Sequence, residues 1–315
     1  MTTHYASKLD TSAVREGLQT VVAITVTPFD AEGVVDERAF NRVLDRMLDA
    51  GVTAITVNGN TSEFYSLTSK EWHRLTELAI EQARGRALVI AAAGYDVATA
   101  IEMGRAAQEL GATALMIQQP VHPYQSPEGW LEYHRSIGAA LPDLALIPYL
   151  RSRMVTASLL DRLASDCPNV LGIKYAVPDP LRFTEVVGQV GSERLAWVCG
   201  LAEPWAPFFW LAGARGFTSG LVNVDPQLSL AMLQHMRRDE SDAVMDIWRL
   251  IQPFEQLRAA DASARNVSVV KEALAAVGLC SARVRPPLSL LSDSERDLVG
   301  SILATWERRG IAGGA

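Results

Sequence analysis

The stretch Val170-Leu171-Gly172-Ile173-Lys174-Tyr175-Ala176 is an apolar run that contains a single charged residue. Its branched and aromatic residues predict a buried strand. Alternate residues of a strand point to opposite faces, so Lys174 should share one face with Val170 and the small Gly172. Leu171 should then point the other way, towards covering helices. The small residues beside Lys174 would leave room for its long side chain to cross an interior.

The lysine itself is unusual in this setting. The chain has 29 basic residues, of which only Lys8, Lys70, Lys174 and Lys271 are lysines. An unpaired ammonium is costly to bury, and desolvation lowers the pKa of a lysine so that its neutral, nucleophilic amine becomes available. Arginine would supply the same charge but cannot form an imine. We therefore expect the amine of Lys174 to take part in chemistry.

Composition excludes several classes of function. The chain has 315 residues, 49% hydrophobic and 21% charged, typical of a globular protein with a sizeable core. The net charge of −7 argues against nucleic acid as the main partner. No apolar run approaches the ~18 residues of a membrane helix, and Met1–Thr20 lacks the apolar core of a signal peptide. Three widely spaced cysteines suit a reducing compartment, so we expect a cytoplasmic protein without a membrane partner.

Eight short apolar runs alternate with amphipathic helical patterns such as Asp36–Ala50 and Asp96–Leu110. This pattern predicts a parallel sheet covered by helices, and eight units in about 220 residues predict a TIM (β/α)8 barrel. An open doubly wound sheet should instead carry a GxGxxG turn after an early strand, and none follows the first run. The predicted strands are Val21–Pro28, Ala54–Asn58, Ala87–Gly94, Ala114–Gln119, Leu144–Tyr149, Val170–Tyr175, Leu195–Cys199 and Gly216–Leu221.

The C-terminal part of the chain contains helical patterns and no convincing strand. We expect residues 1–238 to form the barrel with a short lead-in, and residues 239–315 to form a C-terminal helical extension. Val269–Val277 and Ser292–Arg308 are its clearest helices, and Ser292 with Glu295 matches a capping box. We expect a turn at Arg283–Pro287 and a frayed tail at Gly310–Ala315.

Barrel enzymes carry their chemistry at the C-terminal ends of the strands. Tyr149 ends the fifth strand and could carry protons for Lys174 on the sixth. The turn Gly59-Asn60-Thr61-Ser62-Glu63 after the second strand is suited to hold a carboxylate through backbone N–H groups and hydroxyls. Thr218, on the eighth strand, is a further candidate for substrate binding. Glu63 should fix the loop or open the next helix.

Cofactor chemistry has little support in the sequence. The five histidines show no metal-ligand spacing, so we expect no metal. A pyridoxal-phosphate enzyme also uses a lysine imine, but it needs a phosphate cradle and no glycine-rich candidate stands out. We expect no cofactor beyond a covalent imine between Lys174 and the substrate.

Five motifs in register resemble the dihydrodipicolinate synthase / N-acetylneuraminate lyase family of class I aldolases over residues 20–290. The resemblance implies a TIM barrel with C-terminal helices, usually a homotetramer built as a dimer of dimers. It also implies a Schiff base between Lys174 and a small anionic 2-oxo acid, with Tyr149 as the proton relay and Asn60-Thr61 as the carboxylate turn. The motifs are Val26-Thr27-Pro28-Phe29, Gly59–Glu63, Tyr149, Gly172-Ile173-Lys174 and Ser219–Pro226.

Three positions differ from true dihydrodipicolinate synthases. Asn60 replaces a threonine, Val121-His122 replaces a Tyr-Tyr pair, and Arg153 fits the arginine position only with a one-residue shift. The segment Glu63–Thr68 resembles instead 5-dehydro-4-deoxyglucarate dehydratases and 2-keto-3-deoxy sugar-acid aldolases.

We therefore expect a lyase for such a substrate, with His122, Arg151 and Arg153 near the mouth to bind a second carboxylate or hydroxyls. The alternatives are dihydrodipicolinate synthase proper and a catalytically silent barrel that binds 2-oxo acids in a regulatory or structural role.

Overall fold

The structure is a computed structural model that describes residues 9–308, so the tail predicted at Gly310–Ala315 lies outside the described residues. Eight parallel strands pair in chain order, and β8 pairs with β1 to close the barrel. The predicted TIM barrel is confirmed, and each predicted strand contains an observed one or overlaps it. The strands are β1 Val21–Ile24, β2 Ala54–Val57, β3 Leu88–Ala93, β4 Ala114–Ile117, β5 Ala145–Leu150, β6 Gly172–Tyr175, β7 Ala196–Cys199 and β8 Gly216–Ser219.

Helices precede, connect and follow the strands. Asp36 and Asp96 cap their helices by accepting hydrogen bonds from backbone N–H groups, and Gly111 ends a helix in the left-handed region with φ of 104°. The helices are α1 Thr11–Gly17, α2 Glu37–Asp49, α3 Ser69–Ala83, α4 Val97–Leu110, α5 Pro127–Ala140, α6 Ala157–Asp166, α7 Pro180–Val190, α8 Ala206–Leu211, α9 Pro226–Arg237, α10 Ser241–Ser263, α11 Asn266–Ala276 and α12 Asp293–Arg308.

The interior of the barrel is closed at its N-terminal end by α1, because Leu18 and Val14 join the apolar cluster inside the strands. Our assignment of faces was wrong at the start of the sixth run: Leu171 lies in the interior cluster and Val170 in the outer one. The regular strand begins only at Gly172, so strand alternation does not extend back to these two residues.

Gly172 also has a different role from the one expected. A Cβ at this position would lie 2.9 Å from Leu18 Cδ1 and 3.0 Å from the Ala196 carbonyl oxygen. The space beside Gly172 is therefore occupied by Leu18, at the end of α1, and by Ala196 of β7, and not by the lysine.

In the described residues 239–308 the regular elements are all helices, and a non-helical segment at residues 277–292 joins α11 to α12. Helix α10 packs against α9, α11 and α12, and α11 contacts the turn after β2. The predicted capping box of α12 is present, since Ser292 N–H donates to Glu295 Oε2 at 2.8 Å. Among the residues that the structure describes, no helix is long and apolar enough to cross a bilayer.

Candidate active site

Lys174 lies at the C-terminal end of β6, beside Tyr149 of β5. The two residues are register partners in the parallel sheet, and Lys174 Nζ lies 4.1 Å from the centroid of the Tyr149 ring. Lys174 is only 6% exposed. Buried ion pairs within residues 9–308 involve Arg258 and Lys271 but not Lys174, so its ammonium has no carboxylate partner there.

The surroundings of Lys174 favour its neutral form. Burial, helped by the positive charge of Arg151, lowers its pKa from 10.5 to about 7. Space for the side chain comes from Gly200, where a Cβ would lie 2.9 Å from Lys174 Cγ. The result is an amine that is partly unprotonated near neutrality and held in one position.

Tyr149 is 7% exposed, and burial raises the pKa of its hydroxyl while Arg151 lowers it. The hydroxyl is therefore protonated at neutral pH and available as a donor. Since the ring lies beside Lys174, this hydroxyl is a candidate to deliver protons to and from a bound substrate.

The turn after β2 is a 3-10 turn, Asn60–Ser62, whose own bonds leave the N–H groups of Asn60 and Thr61 unused. Thr61 is 6% exposed, and the Asn60 amide oxygen is shielded from solvent without a hydrogen-bond partner in the described structure. Ser62 holds the turn to β1, because its hydroxyl donates to the Thr25 carbonyl oxygen at 2.5 Å. These groups are suited to bind a small anion.

Glu63 fixes this turn from behind, which confirms one of the two roles expected for it. Its carboxylate pairs with Lys271 of α11 at 2.5 Å, and both side chains are fully buried. The other carboxylate oxygen accepts a hydrogen bond from the Arg285 backbone N–H at 2.8 Å. Glu63 has φ of 62°, so the chain makes a left-handed bend where the ion pair holds it. The C-terminal extension is thereby anchored to the turn.

A cavity of about 320 Å³ connects these groups at the mouth of the barrel. Lys174, Tyr149, Asn60, Thr61 and Thr218 all line it, so the structure brings together five of the seven residues selected from the sequence. Thr218 is 4% exposed. Its hydroxyl donates to the Cys199 carbonyl oxygen at 3.4 Å.

Arg153 and His122 do not line this cavity. Arg153 is directed to the outer surface, where its guanidinium pairs with Asp179 at 2.8 Å and its side chain is 61% exposed. His122 lies in an exposed loop and accepts a hydrogen bond from the Tyr124 N–H at 3.1 Å. The structure of this chain therefore does not support contact of these two residues with substrate. Both lie in loops, where no strand register determines the direction of a side chain. Arg151, two residues earlier, lines the cavity.

One wall of the cavity comes from helices that the sequence did not mark as functional. Glu255 and Arg258 of α10 and Asn266 of α11 line it, together with Ser219 and Gly220 at the C-terminal end of β8. Nothing in the sequence indicated that these residues line the cavity, because an arginine and a glutamate three residues apart are common on helix surfaces. Only the packing of α10 across the mouth makes them part of the site.

A second buried carboxyl lies behind β8. Glu203 is fully buried and accepts hydrogen bonds at 2.5 Å from the hydroxyls of Ser219 and Ser229. Burial, helped by the negative charge of Glu255, raises the pKa of Glu203 to about 7. In residues 9–308, no group of three or more His, Cys, Asp or Glu side chains is placed to hold a metal ion.

A closed (β/α)8 barrel with a buried amine, a tyrosine and an anion-binding turn at its mouth is the architecture of a barrel enzyme. A model of the dihydrodipicolinate synthetase family matches residues 17–305. The chain belongs to this family, and it is a lyase.

Two groups of similar proteins carry different enzyme names. A protein of Methylobacterium radiotolerans, named probable 5-dehydro-4-deoxyglucarate dehydratase, is 33% identical over 88% of this chain and 91% of its own. One of Saccharopolyspora erythraea with the same name is 32% identical over 91% and 94%. The crystal structure of dihydrodipicolinate synthase from Bacillus clausii has a TM-score of 0.90 and 41% identity, over 93% of this chain and 99% of that one.

Proposed function

We propose that this protein is a class I lyase that forms an imine between Lys174 and the ketone of a 2-oxo acid. The observation that carries the proposal is the buried, unpaired Lys174 amine, whose pKa is lowered to about 7, in contact with the Tyr149 ring. The preferred substrate class is a 2-keto-3-deoxy sugar acid of the 5-dehydro-4-deoxyglucarate type, from which the enzyme eliminates water.

The reaction follows from these groups. The neutral amine of Lys174 attacks the ketone carbon, and the ketone oxygen leaves as water to give an iminium. The iminium withdraws electrons, so a proton is lost from the neighbouring carbon. The hydroxyl on the next carbon then leaves with a proton as water, and a carbon–carbon double bond forms. Hydrolysis of the imine returns the amine, with Tyr149 moving protons and the turn at Asn60-Thr61 holding the carboxylate. No metal or organic cofactor is needed.

The relatives support elimination of water, since those at 31–33% identity over about nine-tenths of the chain carry the dehydratase name. Dihydrodipicolinate synthase is the second candidate, because crystal structures with that title are 39% and 41% identical to this chain. Asn60 and the exposed Val121-His122 segment disfavour it, because they replace the residues expected of a true synthase at the turn and the relay.

Borohydride reduction in the presence of pyruvate tests the imine. We expect the mass gain on Lys174 and none in Lys174→Met, while Lys70→Met, which changes an exposed lysine, gains mass as the natural protein does. Failure to trap pyruvate on Lys174 would remove the mechanism. A catalytically silent barrel would trap a 2-oxo acid without turning one over.

Turnover measured on a panel of 2-oxo acids then distinguishes a dehydratase from an aldolase and from a synthase. We expect 5-dehydro-4-deoxyglucarate to be consumed with loss of water. Release of pyruvate from a 2-keto-3-deoxy sugar acid would show an aldolase instead, and condensation of pyruvate with aspartate semialdehyde would show the synthase.

The proposal includes the assembly expected from the family, a homotetramer formed by two dimers. The exposed loop that contains His122 and Tyr124 would then be available for contact with a second copy. The side chain of Tyr124 is 87% exposed. Light scattering of the purified protein measures the assembly directly, and a monomer at working concentration would contradict this part of the proposal.

A further inference from the structure

Arg258 is a buried cation on the wall of the cavity that the C-terminal helices form. It lies on α10, is only 5% exposed, and lines the same cavity as Lys174. The mechanism proposed above does not use it. A buried guanidinium in a substrate cavity is costly to desolvate, so its presence calls for partners or for a ligand.

The guanidinium is held in place by two side chains. Its Nη1 donates to Glu255 Oε1 at 2.5 Å, and its Nε and Nη2 both donate to Asn266 Oδ1 at 3.0 and 2.7 Å. These bonds use three of the five N–H groups of arginine. The remaining N–H groups on Nη1 and Nη2 have no partner among the described residues, so they are available to a ligand in the cavity.

Gly220 makes room for this arrangement. A Cβ at Gly220 would collide with Arg258 Nη2. Since Gly220 also lines the cavity, the guanidinium lies directly against the end of β8.

The backbone that follows Arg258 is strained at three successive residues. Asp261, Ala262 and Ser263 have φ of 50°, 55° and 68°, the left-handed region that is unfavourable for residues other than glycine. This break separates Arg258 from Asn266, yet both reach the cavity. Strain of this kind is concentrated at functional sites.

We propose that Arg258 binds the second carboxylate of a dicarboxylic 2-oxo acid whose ketone is held by Lys174. The inference rests on the proposed function, because the imine defines the other end of the substrate. Arginine presents paired N–H groups that match the two oxygens of a carboxylate. Glu255 balances part of the charge, which keeps the cation tolerable when the cavity is empty. The site assigned to the second carboxylate is therefore on α10 and not at Arg153 or His122.

The test compares two probes of equal chain length, 2-oxoadipate with a distal carboxylate and 2-oxohexanoate with a distal methyl group. The measurement is the concentration of each that gives half-maximal borohydride trapping on Lys174. We expect 2-oxoadipate to be trapped at about tenfold lower concentration or less, the effect of a charge-assisted hydrogen bond. Arg258→Gln should reduce this preference about tenfold.

Two control variants distinguish this role from others. Arg249→Gln removes an exposed arginine of the same helix, with a side chain that is 65% exposed, and should leave the preference unchanged. Arg151→Gln should weaken the trapping of both probes together, because Arg151 lies near the amine. If Arg151→Gln removes the preference and Arg258→Gln does not, the assignment is overturned.

Glu255→Gln is a second test, which keeps Arg258 and should change the preference for 2-oxoadipate in the opposite direction. It keeps an oxygen acceptor for Arg258 but removes the neutralising charge, so the preference for 2-oxoadipate should rise. An unchanged or lower preference would overturn the proposal, even if Arg258→Gln fails to fold. Equal trapping of both probes by the natural protein would refute the subsite alone, whereas absence of any trapping would refute the imine mechanism itself.

Discussion

Replacement of Lys174 by methionine should abolish activity and at the same time make the protein more stable. Methionine has a similar shape and length but no charge, and Lys174 is 6% exposed without a carboxylate partner within residues 9–308. The substitution therefore removes a desolvation penalty while it fills the same space. A lysine retained for folding alone would behave in the opposite way.

The size and the pH dependence of the gain follow from the lowered pKa. Lys174 has a pKa of about 7 when folded and an ordinary value of 10.5 when unfolded. Between these values the unfolded chain binds more protons, so the stability of the natural protein rises with pH across this window. Below pH 7 the penalty is complete, at about 5 kcal/mol. At pH 7 about 4 kcal/mol remains, and above pH 10.5 almost none does.

The contact with the Tyr149 ring offsets part of this penalty. A desolvated ammonium over an aromatic ring contributes up to about 2 kcal/mol. Lys174→Met should therefore gain about 2 kcal/mol or more at pH 7, with a clear rise in Tm, and the gain should disappear towards pH 10.

Thermal unfolding at pH 7, 8.5 and 10 is the assay. Lys70→Met is the matched control, because Lys70 is exposed and its removal should change the unfolding free energy by less than about 0.5 kcal/mol. A Lys174→Met variant that is less stable than the natural protein at pH 7, or that keeps the same advantage at pH 10, would refute the assignment of Lys174 as a buried, unpaired amine.

Three further substitutions test the other parts of the site. Tyr149→Phe should lower turnover by about 10²–10⁴-fold while borohydride trapping of pyruvate persists, and loss of trapping would contradict a proton-relay role. Lys271→Met should reduce the unfolding free energy by about 3–5 kcal/mol because it leaves the Glu63 carboxylate buried and unpaired. The double variant with Glu63→Gln should recover part of this loss in urea unfolding, and strictly additive effects would argue against the pair. Gly200→Ala adds a methyl group 2.9 Å from Lys174 Cγ, so borohydride trapping of pyruvate should be slower. An unchanged trapping rate would show that the lysine does not need the space that Gly200 leaves.

The barrel and the centre of its site were accessible from the sequence because both depend on local patterns. Each strand is a short apolar run, and parallel strands in a barrel bring their C-terminal ends to one rim. Lys174, Tyr149 and the Asn60-Thr61 turn therefore had to lie near each other once the strands were counted. The structure brings them to one cavity.

Contacts distant in the chain were not accessible in this way. Lys271 has a helical pattern around it, and nothing local reveals that it pairs with Glu63, 208 residues away. Arg258 was missed for the same reason, since its place over the cavity depends on the packing of α10. Arg153 and His122 do not line the cavity in this chain, and their placement was not accessible because the direction of a side chain in a loop has no periodic pattern to follow.

The buried pair of Glu63 and Lys271, together with the cavity wall from α10 and α11, has a consequence for how this family can diversify. The groups proposed to form the imine belong to the barrel strands, whereas the groups that would meet the far end of a substrate belong to the C-terminal helices. Exchange of residues 239–308 between two members would transplant that recognition surface without disturbing the reactive amine, provided that the lysine facing Glu63 is kept. Simple truncation at the same point would instead open the cavity and release the turn.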